Sequence, residues 1–153
     1  MVAAYFDNQG LIYTDVVPKG QTINSDYFCK SISNFLRRFR QKRPQKAASN
    51  WRLHMDNARP HVSRATSEFL ASKKVETIDH PAYSPDLAPA DFWLFPLVKK
   101  KMGGMAFKDQ QEVLNAWYGV TRSIPEEAFA EAFRSWIKRW TKCVNKAGDY
   151  VEK

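Results

Sequence analysis

Residues 53–61 read LHMDNARPH and residues 80–95 read HPAYSPDLAPADFWLF. In the first stretch and its lead-in, Trp51, Leu53 and Met55 alternate with polar neighbours, the period of a half-buried strand. That strand, read over residues 51–55, ends on Asp56, with Asn57, Arg59 and His61 directly behind it. In the second, three prolines within residues 80–91 exclude helix and central strand. A helix then starts near Ala90, so Asp91 falls in its first turn. The pair puts two carboxylates at the edges of regular elements, one at a strand end and one at a helix start.

Working outward, residues 2–6 and 11–17 are β-prone runs flanking DNQG, which reads as a hairpin. Asn24 or Ser25 can cap a helix whose inward face is Phe28, Ile32, Phe35, Leu36 and Phe39. That helix runs into RRFRQKRPQK (residues 37–46), where six of ten residues are Lys or Arg, and Pro44 ends it. A second helix is read over about residues 61–72, with Val62, Ala65, Phe69 and Leu70 inward, and VETID (residues 75–79) alternates as a strand. The helix from Ala90 carries Phe92, Leu94, Phe95 and Val98, with Pro96 kinking it or dividing off its first turn. Two helices follow. One covers about residues 109–121, with Val113, Leu114 and Trp117. The other starts at SIPEE, where Ser123 and Glu126 have capping-box spacing, and aligns Phe129, Phe133, Trp136, Ile137, Trp140 and Val144. Strands first, then strands alternating with helices, then helices: the order suggests an α/β sheet covered by helices in one domain, residues 1–153.

The 153 residues suffice to bury roughly 70% of the unfolded surface. A hydrophobic fraction of 44%, with ten Phe, six Tyr and five Trp, excludes a disordered chain. No apolar run approaches the roughly 20 residues of a membrane span. No basic stretch followed by an apolar one opens the sequence, so no secretory leader is expected. Cys29 and Cys143 lie too far apart in sequence to suggest a disulfide framework, which fits a reducing compartment. The net charge of +8 and pI near 9.6 favour polyanions, nucleic acid first and an anionic membrane surface second.

Carboxylates at element edges suit phosphoryl transfer, in which two divalent cations about 4 Å apart clamp the attacking and leaving oxygens. Mg²⁺ takes hard oxygen ligands. The plainer reading of either aspartate is a turn former or a helix cap. His54, Met55 and His61 equally suit core packing, and His54, Asp56 and His61 offer zinc only three ligands with no Cys nearby.

LHMDNARPH followed by HPAYSPDLAPADFWLF resembles the catalytic core of mariner-type transposases. That family carries His-x-Asp-Asn-Ala or His-Asp-Asn-Ala at a strand end and Tyr-Ser-Pro-Asp-Leu-Ala-Pro-Ser-Asp beyond it. Thirty-four residues separate its second and third catalytic Asp, as residues 57–90 separate Asp56 from Asp91 here. YFDNQGLIYTDVVPKGQTIN (residues 5–24) is similar to the family's Trp-Trp-Asp-x-x-Gly hairpin and the helix start after it. RWTKCVNKAGDYVEK (residues 139–153) is similar to its C-terminal close.

The resemblance implies an RNase H-like fold, α/β with a mixed sheet flanked by helices. It also implies a metal-dependent DNA cleavage and strand-transfer chemistry with Asp56 and Asp91 as metal-binding catalytic residues. The two carboxylates are expected to converge on one cleft, with Asn57, Arg59 and His61 shaping its rim. Mg²⁺ or Mn²⁺ is the implied cofactor, held weakly by two carboxylates alone, and DNA the implied partner, with a homodimer left open. No membrane and no small-molecule substrate is expected, and the implied location is the nucleus. Arg37, Arg38, Arg40, Lys42, Arg43, Lys46 and Arg59 are the candidate phosphate contacts.

Asp86 matches a non-catalytic Asp and Asp7 a hairpin Asp. Ala90 stands where the family has Ser, losing a helix cap worth on the order of 1 kcal/mol. The family's DNA-reading modules and first strand, with its Gly-Asp-Glu, have no counterpart in the sequence. A catalytic domain truncated at its N-terminus, inactive alone, is therefore expected. The other reading is a non-catalytic nucleic-acid-binding or assembly module with the same fold.

Overall fold

The computed structural model describes residues 1–147; Gly148 and Tyr150 of the C-terminal resemblance lie outside them. The chain gathers into two compact units. One comprises Met1–Phe6 and Leu11–Tyr83, the other Asp7–Gly10 and Ser84–Lys153. Among the described residues, no helix is long and apolar enough to cross a membrane.

The first unit is built on one helix. Strands β1 (Val2–Asp7) and β2 (Gly10–Val16) form the hairpin expected from DNQG. Asp7 shapes the turn, its Oδ1 accepting from the backbone N–H groups of Gln9 (2.9 Å) and Gly10 (3.1 Å). Gly10 adopts φ +142°, which a side chain would resist. Helix α1 (Ser25–Lys42) is capped by Asn24, whose Oδ1 accepts from Tyr27 N–H at 2.8 Å. All five predicted inward residues are buried, with Ile32 at 0% exposure. Lys42 is the last residue of α1, and Pro44 opens a short α2 (Pro44–Ala47), where its missing N–H costs no hydrogen bond.

Strand β3 (Arg52–His54) pairs in parallel with β4 (Glu76–Ile78), in the register Arg52 to Glu76, Leu53 to Thr77 and His54 to Ile78. The crossover runs through α3 (Arg59–Val62) and α4 (Arg64–Ser72). Both sheets cover α1. The Phe35 ring stacks on Tyr5 of β1 at 4.7 Å and meets Trp51, just before β3, edge-on at 6.1 Å. Among the described residues the two ladders do not join, so the expected mixture of strand directions occurs as two two-stranded sheets.

Two expectations for this unit need correction. The strands expected over residues 51–55 and 75–79 are each three residues long rather than five, and Asp56 lies two residues past the end of the first. The helix expected over residues 61–72 is broken at Ser63, which is extended (ψ 154°) and caps α4 by accepting from Thr66 N–H. The break resets the helical phase. Leu70 is buried as expected, at 5% exposure, and Thr66 joins it at 0%, but Phe69 is only half buried, Ala65 is exposed and Val62 is 52% exposed.

In the second unit, residues 84–91 carry a single 3₁₀ turn (Pro85–Leu87) before a π-helical turn (Ala90–Leu94) and α5 (Phe95–Met102). The Phe95 N–H reaches back five residues to Ala90 O. Pro96 follows in the first turn of α5, so it divides off the first turn as expected. Helix α6 (Gln110–Ser123) is capped by Asp109 Oδ1, which accepts from Glu112 N–H, while Glu112 Oε2 accepts from Lys108 N–H. The capping box expected at Ser123 is absent. Ser123 is still helical, its hydroxyl donates to Val120 O, and α7 (Glu126–Asn145) starts after Pro125. Helix α7 buries Phe129, Ala132, Trp136 and Cys143, leaving Ile137 and Val144 exposed at 67% and 71%. The buried stripe therefore lies about one residue off the expected face.

Candidate functional site

Asp56 belongs to the turn that leaves β3. Its Oδ1 accepts from Ala58 N–H at 3.0 Å and pairs with His61 Nδ1 at 2.6 Å. The His61 ring is fixed in turn by the buried Phe28 of α1, whose ring centre lies 4.2 Å away. The hydrogen bond from His61, more than the one from Ala58, pulls the Asp56 carboxyl down to about 2, against a burial effect that opposes it. The group is therefore ionised throughout the neutral range, and its side chain is 50% exposed. Oδ2 has no hydrogen-bond partner among the described residues.

Around this carboxylate, Met55, Asn57, His61, Val75, Asp79 and His80 help to line a cavity of about 440 Å³. Asn57 Nδ2 donates to His80 O at 2.7 Å, tying the Asp56 turn to the segment that leaves β4. His54 Nε2 and His80 Nδ1 share a hydrogen bond of 3.1 Å. Burial first, and the neighbouring His80 second, push the His54 imidazole down to about 4, so it is neutral at pH 7. No feature of the sequence pairs these two histidines, because the parallel β3–β4 register that brings them together is a tertiary fact.

Asp91 lies in the second unit, exposed, on the π-helical turn. Its N–H donates to Ala88 O at 2.9 Å, as does that of Phe92. Ala90 supplies no side-chain cap there. Nearby, Asp86 is buried at 5% exposure, and its carbonyl accepts from Arg139 Nη1 at 3.2 Å. The Arg139 guanidinium also covers the Phe92 ring at 4.1 Å.

The residues fit a divalent cation in kind. An anionic carboxylate with one oxygen held and the other open is a hard-oxygen donor ready for Mg²⁺ or Mn²⁺. Among the described residues, no group of three or more His, Cys, Asp or Glu is gathered to hold a metal on its own.

The candidate phosphate contacts all lie in the first unit. Arg37, Arg38, Arg40 and Lys42 occupy the last turns of α1, Arg43 precedes α2, Lys46 lies within it, and Arg59 opens α3. Arg37, Arg38, Arg40, Lys42 and Arg59 are exposed, while Arg43 and Lys46 are half buried. Arg37 donates to Asn34 Oδ1 at 3.4 Å and Lys42 to Leu11 O at 3.5 Å. Arg38, Arg40 and Arg59 form no ion pair among the described residues, so their charge is uncompensated. The exposed run Lys99, Lys100 and Lys101 at the end of α5 is a second basic group that the reading of the sequence passed over.

The DDE superfamily endonuclease family matches residues 4–114. Mariner Mos1 transposase of Drosophila mauritiana is 31% identical over 158 residues, covering 99% of this chain and 45% of the relative. The chain therefore spans less than half the length of that protein. The structure superimposes on the Mos1 transposase catalytic domain, solved with raltegravir and Mn, with a TM-score of 0.93 and 29% identity; the match covers 99% of this chain and 76% of that one. A Mos1 transposase paired-end complex with the left transposon end matches at a TM-score of 0.92 and 28% identity, over 99% and 44%.

Proposed function

The chain belongs to the DDE superfamily endonucleases, on their mariner branch, and from that premise we propose that it is the catalytic part of a metal-dependent DNA-cleaving and strand-joining enzyme. Its fold is RNase H-like, with helices flanking one hairpin and one parallel pair of strands. The observation that carries the functional reading is the state of Asp56: ionised, half exposed, fixed at one oxygen and open at the other.

In this reading Asp56 and Asp91 are the metal-binding carboxylates. A bound divalent ion supplies charge stabilisation for the attacking and leaving oxygens of a phosphodiester. The chain's own residues do the positioning. Phe28 holds the His61 ring, His61 holds Asp56 Oδ1, and the Asn57–His80 hydrogen bond keeps the turn against the end of β4. Asp56 needs no proton loss at neutral pH and remains a ligand there. The π-helical turn carries Asp91 on a widened backbone whose hydrogen bonds return to Ala88 and Ala90.

DNA is the proposed partner, with Arg37, Arg38, Arg40, Lys42, Arg43, Lys46 and Arg59 meeting phosphates without reading sequence. The nucleus is the proposed site of action, and a homodimer the proposed assembly. A third carboxylate, on a strand outside residues 1–153, is proposed to complete the site.

Nicking of supercoiled plasmid with Mn²⁺ tests the reading. The chain as given should leave the plasmid intact. A graft of a relative's first strand, with its Gly-Asp-Glu, onto the N-terminus should nick it, and Asp56→Ala or Asp91→Ala in the graft should abolish nicking. A folded graft that binds Mn²⁺ and DNA without nicking would overturn the catalytic reading. Nicking by the ungrafted chain, lost in Asp56→Ala, would show that a group already present completes the site.

A further inference from the structure

The sequence offers a transition metal the set His54, Asp56 and His61, and the structure divides it. His61 turns its Nδ1 to Asp56 Oδ1 at 2.6 Å, while His54 turns its Nε2 to His80 Nδ1 at 3.1 Å. The three histidines of the chain are thereby placed, one on the carboxylate and two on each other.

The second pairing is built by the backbone. In the β3–β4 register His54 stands beside Ile78, and His80 follows two residues on. Asn57 Nδ2 holds the His80 carbonyl at 2.7 Å, which anchors that residue from its own backbone. Both histidines are half buried, with ring centroids 4.9 Å apart and ring planes at 76°. A parallel ladder therefore sets two imidazoles face to face before any ligand arrives.

A hydrogen bond between two ring nitrogens places a hydrogen on one and a lone pair on the other. When that hydrogen moves to the outer nitrogen of its own ring, both facing nitrogens become donors and both rings stay neutral. Ring nitrogens ligate Zn²⁺ at about 2.0–2.1 Å. At that bond length two nitrogens on one ion lie roughly 2.9 Å apart at a right angle and roughly 3.4 Å apart at the tetrahedral angle. The 3.1 Å separation falls between these limits. A small turn of either ring brings the two lone pairs to one point. Imidazole suits Zn²⁺, Ni²⁺ and Cu²⁺, whereas Mg²⁺ takes oxygen. His80 lines the cavity of about 440 Å³, which gives an ion a way in and room for water.

We propose that His54 Nε2 and His80 Nδ1 form a two-nitrogen site for a borderline transition ion of the Zn²⁺ class, with different ligands from the hard-ion site at Asp56. Water fills the remaining positions of its shell. The ion ties the end of β3 to the segment that leaves β4, the two stretches between which the Asp56 turn is held. The site does not rest on DNA cleavage, since neither nitrogen has a part in the proposed function.

The test is calorimetric titration of the untagged chain with ZnCl₂ in a buffer that does not bind metals. One Zn²⁺ should bind per chain, excess MgCl₂ should not displace it, and Tm should rise with Zn²⁺ concentration. His54→Gln and His80→Gln should each weaken binding by roughly tenfold or more and remove the rise in Tm. The Tm of each variant without metal reports whether it folds. In the wild type, the ring NMR signals of His54 and His80 should shift on adding Zn²⁺, and those of His61 should not. Asp56→Ala should bind Zn²⁺ as the wild type does. Binding lost in Asp56→Ala and kept in His80→Gln would overturn the pair and move the ion to His54, Asp56 and His61. Absence of saturable Zn²⁺ binding by the folded wild type would overturn the site outright.

Discussion

Asp56 shows how a turn former and a ligand can be the same atoms divided. The sequence poses these as alternatives, and the structure supplies the turn: Oδ1 accepts from Ala58 N–H two residues on, leaving Oδ2 for chemistry. The motif made the residue legible. The hold on it from His61, and on His61 from Phe28, was not, because a ring contact between α1 and α3 has no sequence period. The neighbouring His54 gives a prediction. Its imidazole titrates at about 4 in the folded chain, against an ordinary value of 6.5. Between those values the unfolded chain takes up a proton that the folded chain refuses, so folding stability falls as pH drops from about 6.5 to about 4 and is level above. Asp56, lowered to about 2 from 3.8, acts in the same direction but at lower pH. Its contribution is full above about 3.8 and is lost only as pH falls towards 2. Urea unfolding at a series of pH values should show the first slope, and His54→Gln should flatten it. An unchanged slope in that variant would mean other groups carry the pH dependence.

At the scale of elements, the regular period of α1 is legible, while helix breaks and the exact face of α7 are not. The inward face of α1 follows from a 3.6-residue period sustained over eighteen residues. Ser63 breaks the next helix with a single capping serine inside an otherwise helical pattern, and no period announces that. In α7 the apolar residues outnumber those the core can cover, so the pattern alone left the buried stripe about one residue out. The end of α1 carries its own prediction. Arg38 and Arg40 are uncompensated, so each released phosphate counterion should show in the salt dependence of duplex binding. Between about 50 and 200 mM salt, the log–log slope should become shallower by roughly two units in the Arg38→Ala, Arg40→Ala double variant. An unchanged slope would assign the phosphate contacts elsewhere, with Lys99, Lys100 and Lys101 the next residues to vary.

For the whole molecule, the fold was legible because two motifs at fixed separation, rather than any single element, identify it. Strand lengths and the separation of the two ladders were not, since pairing partners are set by packing on α1 and not by local sequence. That separation affects how the chain behaves in company. A two-stranded ladder has outer borders, and peptide groups along a border are a template for another chain. Strand β1, VAAYFD, has neither proline nor lysine along it, the usual guards against such recruitment. Isolated copies of residues 1–153 should therefore stick to one another through their backbones as concentration rises, growing beyond the proposed homodimer. Light scattering across a concentration series should rise without a plateau. Ala3→Lys, placing a charge on the border, should suppress the growth, and equal growth in that variant would locate the adhesive surface elsewhere. Solubility, on this account, is a property the chain acquires only once its sheet borders are covered.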